Sequence, residues 1–171
     1  MFFGEFSHTV DDKGRVLLPA RFRKELGERF VVTIGAGRSL MVLAMDDFEA
    51  LCRQLADHPL GTDESTHFSR LFASSAEECE PDKQGRILLP QHLRQHAAIV
   101  KNLVFAGVIT RVEIWEEDAW GQYKSGQLPQ VDMTLDNLRL RLPMAGGAGQ
   151  ASTQPQAETS GANTQPGEQS E

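Results

Sequence analysis

Short apolar runs separated by polar or turn-forming residues dominate the first three quarters of the chain. They read "FVVTI" at 30–34, "SLMVLAM" at 39–45, "NLVFAG" at 102–107 and "VITRVEIW" at 108–115. Runs of this length that are rich in β-branched and aromatic residues are typical of strands. The pattern therefore predicts an α+β chain that is mainly β.

Helices are predicted where proline ends an apolar run or where apolar residues recur at helical spacing. Proline stops a strand and fits the first turn of a helix, so helices are expected after Pro19 and Pro90. Two further helices are predicted, at 47–56 and around 66–75. The second of these is expected to bury Phe68, Leu71 and Phe72.

The most informative feature is a phrase that occurs twice. "DDKGRVLLP" at 11–19 returns as "DKQGRILLP" at 82–90, and similar apolar runs follow each copy in the same order. A repeat of this size predicts a duplicated structural unit. One copy is too small to bury its own strands, so two copies are expected to interleave around one core as a small β-barrel, which also removes exposed strand edges.

This interpretation predicts three parts of the chain. Residues 1–60 form the first repeat with its helix, and 61–143 hold a linking helix, the second repeat and a C-terminal segment. Residues 144–171 contain Gly, Ala, Ser, Thr, Gln, Pro and Asn, with no Lys or Arg and no large apolar residue after Met144. Such a composition cannot bury enough surface to offset the entropy of ordering, so a disordered tail is predicted.

Each copy of the phrase begins with a turn whose first and fourth residues have evident roles. Aspartate at the first position accepts backbone N–H groups, and it is Asp11 in one copy and Asp82 in the other. Glycine at the fourth position, Gly14 or Gly85, suits a positive φ. Both turns are thus expected to connect hairpin-like strands.

Charge is unevenly distributed along an acidic chain. The sequence of 171 residues has 17 Lys and Arg against 24 Asp and Glu, a formal net charge of −7. This total argues weakly against nucleic acid as a partner. However, 82–101 contains four basic residues and one acid, so the repeated segments are the least acidic parts of the chain.

Other classes of site are not evident. Cys52 and Cys79 form neither a disulfide framework nor a metal-ligand spacing. No Ser/His/Asp, phosphate-loop or zinc pattern is evident either, so no metal, cofactor or catalytic residue is predicted. The N-terminus is too short and polar for a signal peptide, and no apolar run is long enough to span a bilayer. A cytoplasmic protein without a membrane partner is expected.

The repeated turns carry the candidate chemistry. Lys13, Arg15, Lys83 and Arg86 can form a basic surface for DNA, because arginine grips phosphate or guanine edges and lysine attracts phosphates. Glycine at both turns would permit close approach of the backbone. The alternative is that each arginine merely pairs with the aspartate of its own turn; both interpretations hold together if the aspartate orients the arginine.

Two other functional classes compete with DNA binding. Aspartates supplied by a twofold repeat can share one proton as a catalytic dyad, but Asp11 and Asp82 each lie beside basic residues that favour their ionised forms. The chain can also be a homo-oligomeric assembly module without DNA binding. Salt distinguishes these classes, since binding to phosphates weakens steeply as salt rises.

The doubled Asp-x-x-x-Arg pattern, at 11–15 and 82–86 and followed each time by an apolar strand and proline, resembles the MraZ family, whose relatives are the AbrB-like regulators. The resemblance covers roughly 1–123 and includes "RQHA" at 94–97. The second turn departs from the first by having Gln84 where the first has Lys13, so the two need not contribute equally.

The resemblance implies a swapped-hairpin or double-psi barrel of the AbrB kind. It also implies a ring-shaped homo-oligomer that binds promoter DNA sequence-specifically near a cell-division and cell-wall gene cluster, and hence a nucleoid-associated protein. None of these properties follows from composition or periodicity.

Overall fold

A computed structural model describes residues 1–57 and 63–131, together with Thr134, Asn137 and Leu138. The chain divides into a compact unit of residues 1–132 and a second unit of residues 133–171. The predicted tail at 144–171 lies outside the described residues, as does most of the C-terminal segment before it.

The first unit contains eight strands and five α-helices among its described residues. The first repeat holds β1 (Phe2–Thr9), β2 (Arg15–Leu17), α1 (Ala20–Leu26), β3 (Phe30–Ile34), β4 (Leu40–Ala44) and α2 (Met45–Asp57). After α3 (Asp63–Ser74), the second repeat holds β5 (Glu77–Cys79), β6 (Arg86–Leu88), α4 (Gln91–His96), β7 (Asn102–Ile109), β8 (Arg111–Glu116) and α5 (Glu117–Gln127). Short 3₁₀ turns lie at Ala36–Arg38 and Leu128–Gln130.

Proline and glycine lie at the ends of these elements, as expected from the sequence. Pro19 and Pro90 have extended-type backbone angles and immediately precede α1 and α4, where a missing N–H does no harm. Gly27 ends α1 with a φ of 84°, a conformation that glycine adopts without the penalty of a Cβ.

The two repeats are interleaved within one antiparallel sheet. Its six strands follow the order β1-β7-β8-β4-β3-β5. Each repeat's first strand therefore pairs with the other repeat's third: β1 with β7, and β5 with β3. If the equivalent strands of the two repeats are exchanged, the same order results, read from the opposite edge of the sheet. This interleaving of strands is the swapped-hairpin arrangement expected of a duplicated fold.

The remaining strands, β2 and β6, pair with each other as a separate two-stranded ribbon. Val16 pairs with Ile87 at its centre, and these residues occupy equivalent positions in the repeated phrase. In the sheet, Met41 of β4 pairs with Glu113 of β8 in the same symmetric way. A pseudo-twofold axis thus passes through both pairs.

Sheet and ribbon enclose one core. Val16 and Ile87 point inwards and join Phe22, Leu93 and Phe105 in the main cluster of buried residues. The hydrogen-bonded strands form a sheet and a ribbon rather than one continuous ring among the described residues. The mainly β, duplicated fold with peripheral helices is therefore confirmed.

One detail of the predicted core is wrong. The helix expected around 66–75 is present as α3, and Phe72 is buried, but Phe68 and Leu71 are exposed. Phe68 stacks on Phe72 with ring centroids 5.4 Å apart, so it covers the buried ring from outside. A helix lying on the surface of the core buries one narrow stripe, and of the three apolar residues predicted to be buried only Phe72 is on it.

Candidate nucleic-acid interface

The first turn is organised by the carboxylate of Asp11. Its Oδ1 accepts the backbone N–H groups of Lys13 at 3.0 Å and Arg15 at 2.8 Å. Its Oδ2 accepts the Nε of Arg15 at 2.8 Å and lies 2.8 Å from the Nη2. One aspartate therefore holds the turn closed and fixes the direction of the arginine side chain.

The second turn repeats this geometry. Oδ1 of Asp82 accepts the backbone N–H groups of Gln84 and Arg86, each at 2.9 Å. Oδ2 accepts Nε at 2.9 Å and Nη2 at 2.8 Å from Arg86. The motif-orienting role predicted for Asp11 and Asp82 agrees with this geometry.

Both carboxylates are more acidic than an ordinary aspartate. The backbone N–H of Arg15, followed by its guanidinium, lowers the pKa of Asp11. The same two contacts from Arg86 lower the pKa of Asp82 to about 2. Hydrogen bonds and a positive charge that favour the ionised form are the cause, so each aspartate remains charged at neutral pH.

The arginines are oriented but not sealed from solvent. The exposed fraction of the side chain is 33% for Arg15 and 30% for Arg86. Arginine has five N–H donors, and two of them point at the aspartate, so the others remain able to bind an anion or a base edge. Lys13 and Lys83 are exposed beside them.

The two turns form one unit because each is bonded to the other repeat. The carbonyl of Gly85 accepts the N–H of Leu18 at 3.0 Å, and that of Gly14 accepts the N–H of Leu89 at 2.8 Å. The predicted positive φ is present at both glycines, 81° at Gly14 and 79° at Gly85. The turns therefore extend the ends of the ribbon formed by β2 and β6.

The space next to each glycine is filled by an arginine of the other repeat. A Cβ on Gly14 would lie 3.1 Å from the Nε of Arg94, and a Cβ on Gly85 would overlap the guanidinium of Arg23. The Nε of Arg94 also donates to the carbonyl of Leu89 at 3.0 Å. The glycines thus make room for an intramolecular contact, which is a structural role besides the one predicted for DNA.

Arg23 and Arg94 therefore belong beside the predicted site residues. They are not among the residues of the basic surface predicted from sequence, which comprises Lys13, Arg15, Lys83 and Arg86. Their signal was nevertheless present, because they occupy equivalent positions in the two repeats, four residues after Pro19 and Pro90. Which turn each one reaches could not be read from sequence, since each reaches the turn of the other repeat.

Comparison of the sequence with models of known protein families shows which family has this duplicated sequence. The model of the family described as "MraZ protein, putative antitoxin-like" matches the chain twice, at residues 1–71 and 72–134. The chain belongs to the MraZ family. The two matches correspond to the two interleaved repeats, and each contains one Asp-x-x-x-Arg turn.

Curated relatives carry the name Transcriptional regulator MraZ. The protein of Caldanaerobacter subterraneus subsp. tengcongensis is 44% identical over 143 residues, which cover 82% of this chain and 100% of the relative. The protein of Carboxydothermus hydrogenoformans is 48% identical over 126 residues, covering 74% and 88%. That of Desulfitobacterium hafniense is 49% identical over 123 residues, covering 72% and 86%.

A catalytic aspartate dyad, which competed with DNA binding as an interpretation of the sequence, fits the geometry of the turns less well. Asp11 and Asp82 each direct both carboxylate oxygens at donors of their own turn, whereas a catalytic dyad shares a proton between two carboxylates. Residues 1–57 and 63–131 contain no group of three His, Cys, Asp or Glu residues suited to a metal ion. None of the helices described is long and apolar enough to cross a membrane.

Proposed function

We propose that this protein is a sequence-specific DNA-binding transcriptional regulator, and that the β2–β6 ribbon with its two turns is the surface that meets DNA. The observation that carries the proposal is the pair of arginines, Arg15 and Arg86. They lie at opposite ends of a ribbon with pseudo-twofold symmetry, and each is oriented by the aspartate of its own turn. Lys13 and Lys83 add mobile positive charge for phosphates. The relatives named as transcriptional regulators support the same function.

The geometry suits DNA because a two-stranded ribbon fits the major groove. The groove is about 12 Å wide, and a fork of guanidinium donors matches the O6 and N7 acceptors of guanine or two phosphate oxygens. Arginines that are held in place lose less conformational freedom on binding than free ones. Gly14 and Gly85 are buried against arginines of the other repeat, so their part is to shape the turns that carry the DNA-facing side chains.

A single protomer offers few basic side chains on an acidic body, so we infer that binding depends on assembly. A homo-oligomeric ring would engage several DNA repeats at once, and avidity would multiply weak contacts. The operator would then contain short direct repeats spaced about ten base pairs apart, one helical turn. The proposed location is the nucleoid, and the proposed target is the promoter of a cell-division and cell-wall gene cluster.

The second candidate is an assembly module that does not bind DNA. It is favoured by exposed apolar side chains outside the ribbon, including Phe3, Phe68, Leu71 and Ile109. Such residues are common in subunit contacts. Because a DNA-binding ring needs the same contacts, their presence supports assembly without deciding between the two functions.

Fluorescence anisotropy with DNA from upstream of the protein's own gene tests the proposal. The affinity should exceed that for scrambled DNA of equal length, and log K should fall linearly with log salt, as the release of counterions requires. Light scattering on the same samples gives the mass of the assembly. A multimer that binds neither DNA at low salt would establish the assembly module instead.

A further inference from the structure

Two leucines lie on the solvent side of the ribbon, beside the arginines. Leu17 has 46% of its surface exposed and Leu88 has 55%, whereas Val16 and Ile87, which alternate with them, are buried. Leu17 and Leu88 occupy the same position in the two copies of the repeated phrase. A single exposed leucine needs no explanation, but two placed at equivalent positions of the candidate DNA surface call for one.

The ribbon register fixes how these side chains are arranged. Arg15 lies opposite Leu88, and Leu17 lies opposite Arg86. Side chains two apart on a strand share a face, so all four residues form one quadrilateral with the leucines on one diagonal and the arginines on the other. Diagonal neighbours of this kind are about 7–8 Å apart, which makes the leucines a small apolar centre between two cationic groups.

The arginines are drawn away from this centre. The guanidinium of Arg15 is bound to Asp11 in its own turn, and that of Arg86 is bound to Asp82 in the turn at the other end of the ribbon. The leucines therefore remain uncovered between them. Each end of the ribbon thus presents one guanidinium and, opposite it in the register, one exposed leucine.

The major groove contains one strongly apolar feature, the C5-methyl group of thymine. The rise per residue of a strand, about 3.3 Å, is close to the 3.4 Å rise between bases. An arginine and a leucine two residues apart on the same face thus span about two base steps. On a ribbon lying in the groove, this spacing would bring a leucine to the base edges next to each arginine contact.

We propose that Leu17 and Leu88 are specificity-determining residues that read the methyl groups of thymine. This inference rests on the proposed DNA-binding function and adds to it the kind of base that the ribbon selects. The operator should then carry thymines within two base pairs of the guanines or phosphates that the arginines bind.

Replacement of thymine by deoxyuridine tests the inference directly, since it removes only the methyl group and leaves pairing and charge unchanged. Promoter DNA from upstream of the protein's own gene would be compared with the same duplex carrying deoxyuridine in place of each thymine. Burying one methyl-sized group contributes about 0.8 kcal/mol, so each lost contact should weaken binding by about fourfold. The protein carrying both Leu17→Ala and Leu88→Ala should bind the two duplexes equally.

Leu128→Ala is the matched control, because Leu128 is also an exposed leucine but lies in the 3₁₀ turn at Leu128–Gln130; it should retain the full discrimination. Equal binding of both duplexes by the unmodified protein would overturn the inference and leave the proposed function intact. Failure to bind either duplex would instead refute the proposed function. A drop in assembled mass on Leu17→Ala with Leu88→Ala, seen by light scattering, would assign the leucines to a contact between copies and also overturn the inference.

Discussion

The two repeats agree closely at the ribbon and differ at the rim of the sheet. The turns at 11–15 and 82–86 share all the contacts of their aspartates, and each glycine carbonyl is bonded to the other repeat in both. In contrast, β1 pairs with β7 over eight residues, whereas its counterpart β5 pairs with β3 over only three. The ribbon, whose geometry is common to both copies, lies at the pseudo-twofold axis. The edge strands β1 and β5, which differ between the copies, lie farthest from it in the sheet.

The turns themselves differ in charge rather than in shape. The first contains two acids, Asp11 and Asp12, with two bases, whereas the second contains one acid and two bases. The neighbouring arginines, Arg94 at the first turn and Arg23 at the second, add one cation to each. The second turn therefore presents the more positive surface, although its backbone is the same.

The largest expected effect comes from removing an arginine from either turn. Arg15→Ala and Arg86→Ala should each weaken binding to promoter DNA by at least about a hundredfold, since a bidentate arginine contributes about 1–3 kcal/mol and losses multiply across an assembly. Anisotropy titrations measure this. The fold should persist, because ion pairs exposed to solvent add little stability.

Arg53→Ala is the control for that experiment, since Arg53 forms an exposed ion pair with Glu49 on α2, away from the ribbon. It should bind like the unmodified protein. If only one of the two turn variants loses affinity, the repeats are not functional equivalents and a single turn contacts DNA.

The next effect concerns the stability of the turns. Gly14→Ala and Gly85→Ala should each lower the free energy of unfolding by about 1–2 kcal/mol, because both residues have left-handed backbone angles. Gly14→Ala should lower the free energy of unfolding by more than Gly85→Ala does. The new Cβ at residue 14 would lie 3.1 Å from the backbone carbonyl of Leu89, whereas the atom that a Cβ at residue 85 would meet is the movable tip of Arg23. Urea unfolding measures the difference.

Arg23→Ala tests the packing part of this prediction, because it removes the side-chain tip that a Cβ on Gly85 would meet. In that background Gly85→Ala should lower the free energy of unfolding by less, whereas the effect of Gly14→Ala should not change. An unchanged effect of Gly85→Ala would mean that Arg23 does not fill the space beside Gly85.

Acid should loosen the turns only at low pH. Asp82 has a folded pKa of about 2, below its ordinary value, so its stabilising contribution is complete above the pKa of the unfolded chain, near 3.9, and is lost as the pH falls through 2. Asp11 should follow with the same sign. Carboxylate chemical shifts in an NMR titration report both midpoints.

Arg86→Gln provides the matched comparison for this titration. The backbone N–H of residue 86 is the main cause of the lowered pKa of Asp82, and the substitution retains it. The midpoint should therefore rise only part of the way. A return to the ordinary value of aspartate would show that the guanidinium, not the backbone, controls the pKa.

The smallest effect is expected from Asp12, the extra acid of the first turn. Asp12→Asn should tighten DNA binding by roughly twofold at low salt, as expected for removing one exposed repulsive charge, and the gain should vanish at high salt. Asp57→Asn, at the exposed end of α2, should have no such effect. If Asp12→Asn leaves the affinity unchanged at low salt, the first turn lies away from the phosphates.

The turns were predictable from sequence because their chemistry is local. An aspartate, a glycine and an arginine within five residues determine a closed turn, a positive φ and an oriented guanidinium, whatever the rest of the chain does. The strands were predictable from their apolar runs for the same reason. Phe68 and Leu71 were misjudged because their spacing shows that they neighbour Phe72 on a helix but not how deeply that helix packs.

The order of the strands and the position of Arg23 and Arg94 were decided only by the tertiary structure. Pairing β1 with β7 brings together residues about a hundred positions apart in the sequence, and such contacts depend on the packing of the complete core. The sequence by itself determined two copies of one arginine-bearing turn. Packing around the shared axis determined that both turns lie at the ends of a single ribbon, because neither copy can bury Val16 or Ile87 without the other.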